Sequence, residues 1–451
     1  MKKTLLHLIL FFSLAANAQD FWTPVATFPQ QAFAPKEISI VDANVVWAYG
    51  YNGWDPGSTT QQWFMTSDGG TTWTQGNFNL GNSALQVGSL HAISETVAYV
   101  SVNTGLPGSV GGIWMTADAG ATWTRQPDAF SNTESFANFV HLWNATDGIA
   151  VGDPNNGYFE IYTTQDAGQN WTQIASANIP VALSGETGYT LCYETRNNSI
   201  WFGTNKGRIF KSNDRGEVWS AVQSPLPDFD GPTFRGRFAF KNQNEGLLID
   251  RNWQQHKSTD AGNTWAIQNP ANIAARNGNI SYIPETPGAY FSWGEELTMG
   301  MRGASYTADG GLSWIDLNET DQQPLDVVTA KFKNPEIGFC LGYRILDSSP
   351  RDLIFFKLGE DTFRKFLGTH NQPLATKLSV APNPATDFVE ISGKNIQSVI
   401  ISDISGKKIL AQNFTISDSV SLDLSKLQNG IYFAAINTNT EMLSIIKILK
   451  K

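Results

Sequence analysis

The 451-residue chain is poor in several features that usually announce a chemistry. It holds 2 cysteines and 5 histidines. Two cysteines cannot build a disulfide scaffold, and the histidines show no paired metal-ligand spacing. Cys192 and Cys340 lie about three repeats apart with no histidine nearby to make a thiol nucleophile. Charged residues reach only 16%, against roughly 25% in an average soluble domain. The net charge is -10 with no basic run, which excludes nucleic acid as a partner. No Gly-rich phosphate loop of either the P-loop or the dinucleotide type occurs, so no cofactor is expected, and no metal. Past the first twenty residues nothing approaches eighteen consecutive apolar residues, so no transmembrane segment is expected in the mature chain. What is present is a hydrophobic share of 41%, which argues against disorder, together with 40 Gly and 15 Trp. That load excludes coiled coils and long helices.

The first residues read MKKTLLHLILFFSLAANAQD. Lys2 and Lys3, an apolar run from Leu5 to Leu14 and the small-residue site Ala16-Asn17-Ala18 make residues 1–18 a secretory signal peptide, cut before Gln19. No cysteine follows the cut, so a lipoprotein anchor is not expected.

Six tryptophans then recur in matching surroundings: TSDGGTTW to Trp73, TADAGATW to Trp123, TQDAGQNW to Trp171, SNDRGEVW to Trp219, STDAGNTW to Trp265 and TADGGLSW to Trp314. The intervals are 50, 48, 48, 46 and 49 residues, the length of one four-stranded propeller blade. Short alternating strands lie between them, such as Glu37 to Val41, Val45 to Gly50, Arg237 to Lys241 and Gly246 to Ile249. In each box the Ser/Thr and the Asp can hydrogen-bond backbone groups to close a tight loop. The Gly supplies a positive φ, and the Trp ties the turn to the core. The box residues Asp68, Asp118, Asp166, Asp214, Asp260 and Asp309 repeat in every blade, as a folding element does and a single active site does not.

These boxes resemble the Asp-box (BNR) repeat of sialidases, sortilin-type receptors, xyloglucanase-type glycosidases and photosystem II assembly-factor propellers. Asn170, Val218 and Ser313 depart from its penultimate Thr. The resemblance implies an all-β chain with a seven-bladed β-propeller over residues 19–366. Val327 to Phe332, Ile337 to Tyr343 and Leu353 to Lys357 supply the last blade. Its closing strand lies around either Trp22, 51 residues before Trp73, or Phe363, 49 after Trp314.

A polar linker, residues 367–377, precedes a change of style over 378–451, which lacks Trp and Asp boxes. Pro382-Asn383-Pro384, Asp403 with Gly406, Gly430-Ile431-Tyr432 and a Lys-ending strand resemble the type A C-terminal sorting domain of the Bacteroidetes type IX secretion system. That resemblance implies a small immunoglobulin-like β-sandwich, the secretion machinery and a sortase-like peptidase as partners, and a destination at the outer-membrane surface or outside a Gram-negative cell. Residues 376–451 and the leader each carry +2, which leaves residues 19–375 at -14.

The face away from the boxes is built by loops between second and third strands. Those loops carry Trp54, Asp55, Asp153, Arg251, Trp253, Trp293, Glu295, Glu296 and Arg302. Aromatics beside carboxylates suit sugar stacking, and a carboxylate pair can hydrolyse a glycoside; packing of long loops is the structural alternative. A sialidase would need an arginine triad and an early Arg-Ile-Pro signature, yet no Arg precedes Arg125. A xyloglucanase-type cleft normally takes two propellers. The sequence therefore leads to an exported binding or adhesion module for a glycan or protein ligand, with a glycoside hydrolase or an assembly scaffold as alternatives.

Overall fold

The computed structural model describes residues 21–28, 34–51, 61–103, 110–231, 236–250, 252, 254–271, 279–294, 303–317, 325–344, 353–359, 379–403, 407–438 and 444–451. The chain divides into two compact units, residues 1–369 and 370–451.

Among the described residues the first unit holds seven four-stranded antiparallel sheets, each running inner to outer in chain order except the last. They are the seven blades. The innermost strands are Ala34–Ile40, Gln86–Ala92, Ala137–Leu142, Gly188–Arg196, Gly236–Phe240, Asn279–Tyr282 and Leu325–Phe332. Five of these show a register shift against their second strand, which adds local twist.

Blades pack face to face through aromatics. Trp47 and Trp201 sit at matching places on second strands, paired with Ser39 and Glu194, and both are fully buried. Trp201 stacks on Phe240 of the next blade at 4.1 Å and 7°. The polar tips are satisfied across the same seams. Trp47 Nε1 donates to Ser94 O (3.1 Å), Tyr99 Oη to Ala167 O (2.9 Å) and Trp201 Nε1 to Ala261 O (3.3 Å). Each ring thus buries a large apolar area and hydrogen-bonds the turn of its neighbour.

The last blade is closed by the N-terminal strand. Trp22–Phe28 pairs antiparallel with Leu353–Leu358, from Trp22 opposite Leu358 to Phe28 opposite Leu353. Between the two candidates for that place the structure selects Trp22; Phe363 lies outside the described residues. The reason is burial. Trp22 is 3% exposed and packs edge-on to Phe291 at 5.5 Å, beside Phe332, while Gly359 N–H donates to Phe21 O. The N-terminal strand thus becomes the outermost strand of the last blade and covers the edge of Leu353–Leu358.

The second unit is a small β-sandwich. Its 16-residue strand Phe388–Asp403 pairs first with Ser379–Ala381 and then with Gly430–Thr438, while Lys408–Asp423 follows it along its length and Ser444–Lys450 closes on Gly430–Thr438. Val389, Ile391, Val399, Ile401, Leu422 and Ile436 are fully buried between the layers.

Candidate functional site

The six repeated turns form one device. Thr66 Oγ1 donates to Asp68 Oδ1 (2.9 Å) and accepts from Gly70 N–H (2.9 Å). Asp68 Oδ1 also accepts from Thr72 N–H (2.8 Å), and Oδ2 accepts from Thr72 Oγ1 (2.7 Å). Trp73 Nε1 donates to Gly70 O (2.9 Å), which seats the ring. The same carboxylate bonds recur at Asp118, Asp166, Asp260 and Asp309. At Asp214 the backbone bonds persist, but Val218 offers no side-chain donor. The Thr72 hydroxyl and N–H hold the Asp68 carboxyl down at about 2. In each box the carboxylate accepts from the backbone and side chains of its own turn, so the boxes act as turn closures. Trp123, Trp171, Trp219 and Trp314 are buried beside them, and Trp73 and Trp265 are half-buried.

Of the residues expected on the opposite face, Trp54, Asp55, Arg251, Trp253, Glu295, Glu296 and Arg302 lie outside the described residues. Two of the expected residues are described. Asp153 accepts from Asn138 Nδ2 (2.8 Å) and from Gly188 N–H of the next blade (2.8 Å), and burial raises its pKa. It clamps two blades together. Trp293 is 6% exposed, lies 5.8 Å from Phe291 and donates Nε1 to Val328 O (3.3 Å). One edge of it still borders the axial channel.

That channel is what the sequence reading missed. A cavity of about 630 Å³ runs along the innermost strands, from Pro35 and Leu191 at one end to Ile40, Arg196 and Lys333 at the other. One position recurs around it: Ser39, His91, His141, Glu194, Ala239, Ser281 and Lys331, one step in from the hairpin end except for Glu194, which lies two steps in. All but Ala239 line the cavity. The available signal was that His91 and His141 stand one repeat apart on adjacent inner strands.

The walls are electrostatically structured. Glu37 is 4% exposed; burial raises its pKa, opposed by Lys331 at 3.3 Å and by the Leu90 N–H (3.4 Å). Glu194 pairs with Arg196, whose guanidinium also sits 5.2 Å over the Tyr282 ring. His91 and His141 meet ring to ring at 4.4 Å. Burial pushes His91 down to about 4 and His141 well below its usual value, with Lys331 adding to both. Tyr193 stacks on Phe139 at 4.2 Å and 5°. Among the described residues no group of three or more His, Cys, Asp and Glu is arranged to hold a metal ion. Both cysteines are buried as free thiols, and burial raises each pKa, so neither is a nucleophile.

Residues 379–451 match the family model "Secretion system C-terminal sorting domain". The second unit is a secretion sorting domain. The chain is therefore marked for export to the cell surface or for release, and no helix among the described residues is long and apolar enough to cross a membrane. The first unit is similar to photosystem II assembly lipoprotein Ycf48 from Synechococcus sp. (strain CC9902), 25% identical over 276 residues, which are 53% of this chain and 79% of that protein. Among solved structures it is similar to Ycf48 bound to D1 peptide, at a TM-score of 0.52 and 16% identity, over 76% of this chain and 98% of that one. Ycf48 from Cyanidioschyzon merolae matches at a TM-score of 0.50 and 15% identity, over 75% and 98%. The structural likenesses establish a shared propeller fold.

Proposed function

We propose that this chain is an exported binding module that holds a segment of another exported protein at its axial channel, as a scaffold and not as an enzyme. One observation carries the reading: the aromatic faces around the channel are already covered. Phe139 covers Tyr193, Arg196 covers Tyr282, and Trp293 is packed into the blade seam. A sugar ring needs a free aromatic platform, whereas a peptide needs a groove with hydrogen-bond donors and apolar side chains. Both lining carboxylates are also tied to cations, Glu37 to Lys331 and Glu194 to Arg196, whereas glycoside hydrolysis needs one acid and one available carboxylate. The peptide held by the matched Ycf48 propeller supports the same mode here.

The sorting unit completes the proposal. It directs type IX export in a Gram-negative Bacteroidetes cell and is then removed by a sortase-like peptidase, leaving the propeller at the surface or free. Mass spectrometry of surface or released material is expected to lack peptides beyond about Leu374; intact C-terminal peptides in mature material would refute removal. The binding reading is tested with the full chain as bait on surface and secreted proteins, compared with a Lys36→Glu/Lys333→Glu channel-mouth variant. A partner retained by the first and lost by the second is expected. Turnover of a chromogenic glycoside, abolished by Glu295→Gln or Glu296→Gln, would replace it with the hydrolase reading.

A further inference from the structure

We infer that the channel selects a carboxylate-bearing ligand, an extended acidic stretch of the protein partner; this rests on the binding reading above. Residues 19–375 are acidic, at -14, yet the cavity is bordered by Lys36, Arg196, Arg237, Lys331 and Lys333 against only Glu37 and Glu194. The pairing of those groups sharpens the contrast. Glu37 is engaged by Lys331, and Glu194 by Arg196. Arg237 is held from behind by Asp230 at 3.3 Å. Asp42, near Lys333, spends one carboxylate oxygen on the N–H groups of Asn44 and Val45 (2.8 Å each). Every acid at the channel is therefore committed to the protein itself.

What is left facing the cavity is of donor type. The Nε of Arg196 is buried without a hydrogen-bond partner, and Lys36 and Lys333 are exposed at the two ends. A carboxylate supplies the acceptor that the Arg196 Nε lacks, and a charge-assisted bond in a partly dry channel is among the stronger kinds. The span fits a peptide. The six residues Pro35–Ile40 line its length, about 20 Å at 3.3 Å per residue, so one extended segment of about six residues reaches from Lys36 at one end to Lys333 at the other. Ile38, Ile40 and Ile280 between the cations suit aliphatic side chains alternating with acidic ones.

The experiment uses the purified full chain and a fluorescein-labelled dodecapeptide alternating Glu and Ala, with fluorescence anisotropy at 150 mM salt. Two further probes are the same peptide with Gln for Glu and a labelled oligogalacturonate of equal charge. Binding of the Glu peptide at least tenfold tighter than either is expected. Arg196→Gln and the Lys36→Glu/Lys333→Glu pair are each expected to weaken it at least tenfold. The perimeter change Arg215→Gln is expected to leave it unaltered. Melting curves accompany each variant, and the exposed Lys36/Lys333 pair keeps the test valid if Arg196→Gln fails to fold. Equal affinity for the Gln peptide, tighter binding of oligogalacturonate, or full affinity in the channel variants would overturn the inference. If the channel variants lose the native partner while the Glu peptide fails to compete for it, the acidic assignment falls and the binding reading stands. If the variants keep the partner, the binding reading itself falls.

Discussion

Replacing Gly120 by alanine probes whether the repeated turns are locked to the neighbouring blade or merely closed on themselves. Gly120 has φ +84, and a Cβ there would lie 2.5 Å from Trp63 Cζ2 and 2.8 Å from Cε2. Trp63 belongs to the preceding blade, is 4% exposed and has no room to retreat. A Cβ on Gly76 would come within 2.6 Å of the same ring, and Trp47 lies 5.4 Å away. The left-handed backbone costs a non-glycine residue about 1–2 kcal/mol. Overpacking a rigid ring adds about 1–3 kcal/mol, and the loss of unfolded-chain entropy returns about 0.4–1 kcal/mol. The net expectation is a destabilisation of about 3 kcal/mol. Gly81 is the internal control: its φ is +75, but nothing lies within 4 Å of its Cβ position, so Gly81→Ala should cost about 1 kcal/mol. Urea unfolding followed by tryptophan fluorescence reads the propeller alone, because the last tryptophan is Trp314. Costs for the two variants that agree within about 0.5 kcal/mol would refute the inter-blade contact as the reason for this glycine.

Three other outcomes are expected. Val218→Thr supplies the hydroxyl that four of the six turns give to their aspartate, a fifth using the Asn170 amide, at a side chain that is 54% exposed, and should raise stability by about 0.5 kcal/mol in the same urea assay. Trp22→Ala should cost about 3–5 kcal/mol by emptying the seam where the ring closes, read as an earlier thermal transition of the propeller. Acidification should destabilise the channel. The folded pKa of His91 is depressed to about 4 from 6.5, so between those values the unfolded state binds the extra proton and stability falls as pH falls. The raised pKa of Glu37 opposes this within its own lower window. His91→Gln should flatten the stability profile between pH 6.5 and 4; an unchanged slope would count against the buried neutral pair.

Much of the architecture was legible because its determinants are local and repeated. The last blade's expected strands Val327 to Phe332 and Leu353 to Lys357 appear as Leu325–Phe332 and Leu353–Leu358, since alternation and turn residues act within a few positions. The turn chemistry at Asp68 was legible for the same reason. One detail was not: the residue before each box glycine also has positive φ, including Ala119, Ala167, Arg215 and Ala261. No side-chain preference announces that, because the Thr66-type hydroxyl and the Asp carboxylate impose it from either side. Asp153 reads in sequence as a loop carboxylate, but its partners Asn138 and Gly188 lie 15 and 35 residues away.

The sequence by itself determined the repeat length, the turn that closes each blade and the sorting unit, because each depends on residues close together in the chain. Only the tertiary structure decided the rest. It assigned the closing strand to Trp22, since that strand pairs with Leu353–Leu358 and buries Trp22 against Phe291 and Phe332, which spacing alone did not reveal. It also gathered Glu37, His91, His141, Glu194 and Lys331 around one axis. These residues come from five repeats across nearly three hundred positions, and a channel exists only once the ring has closed.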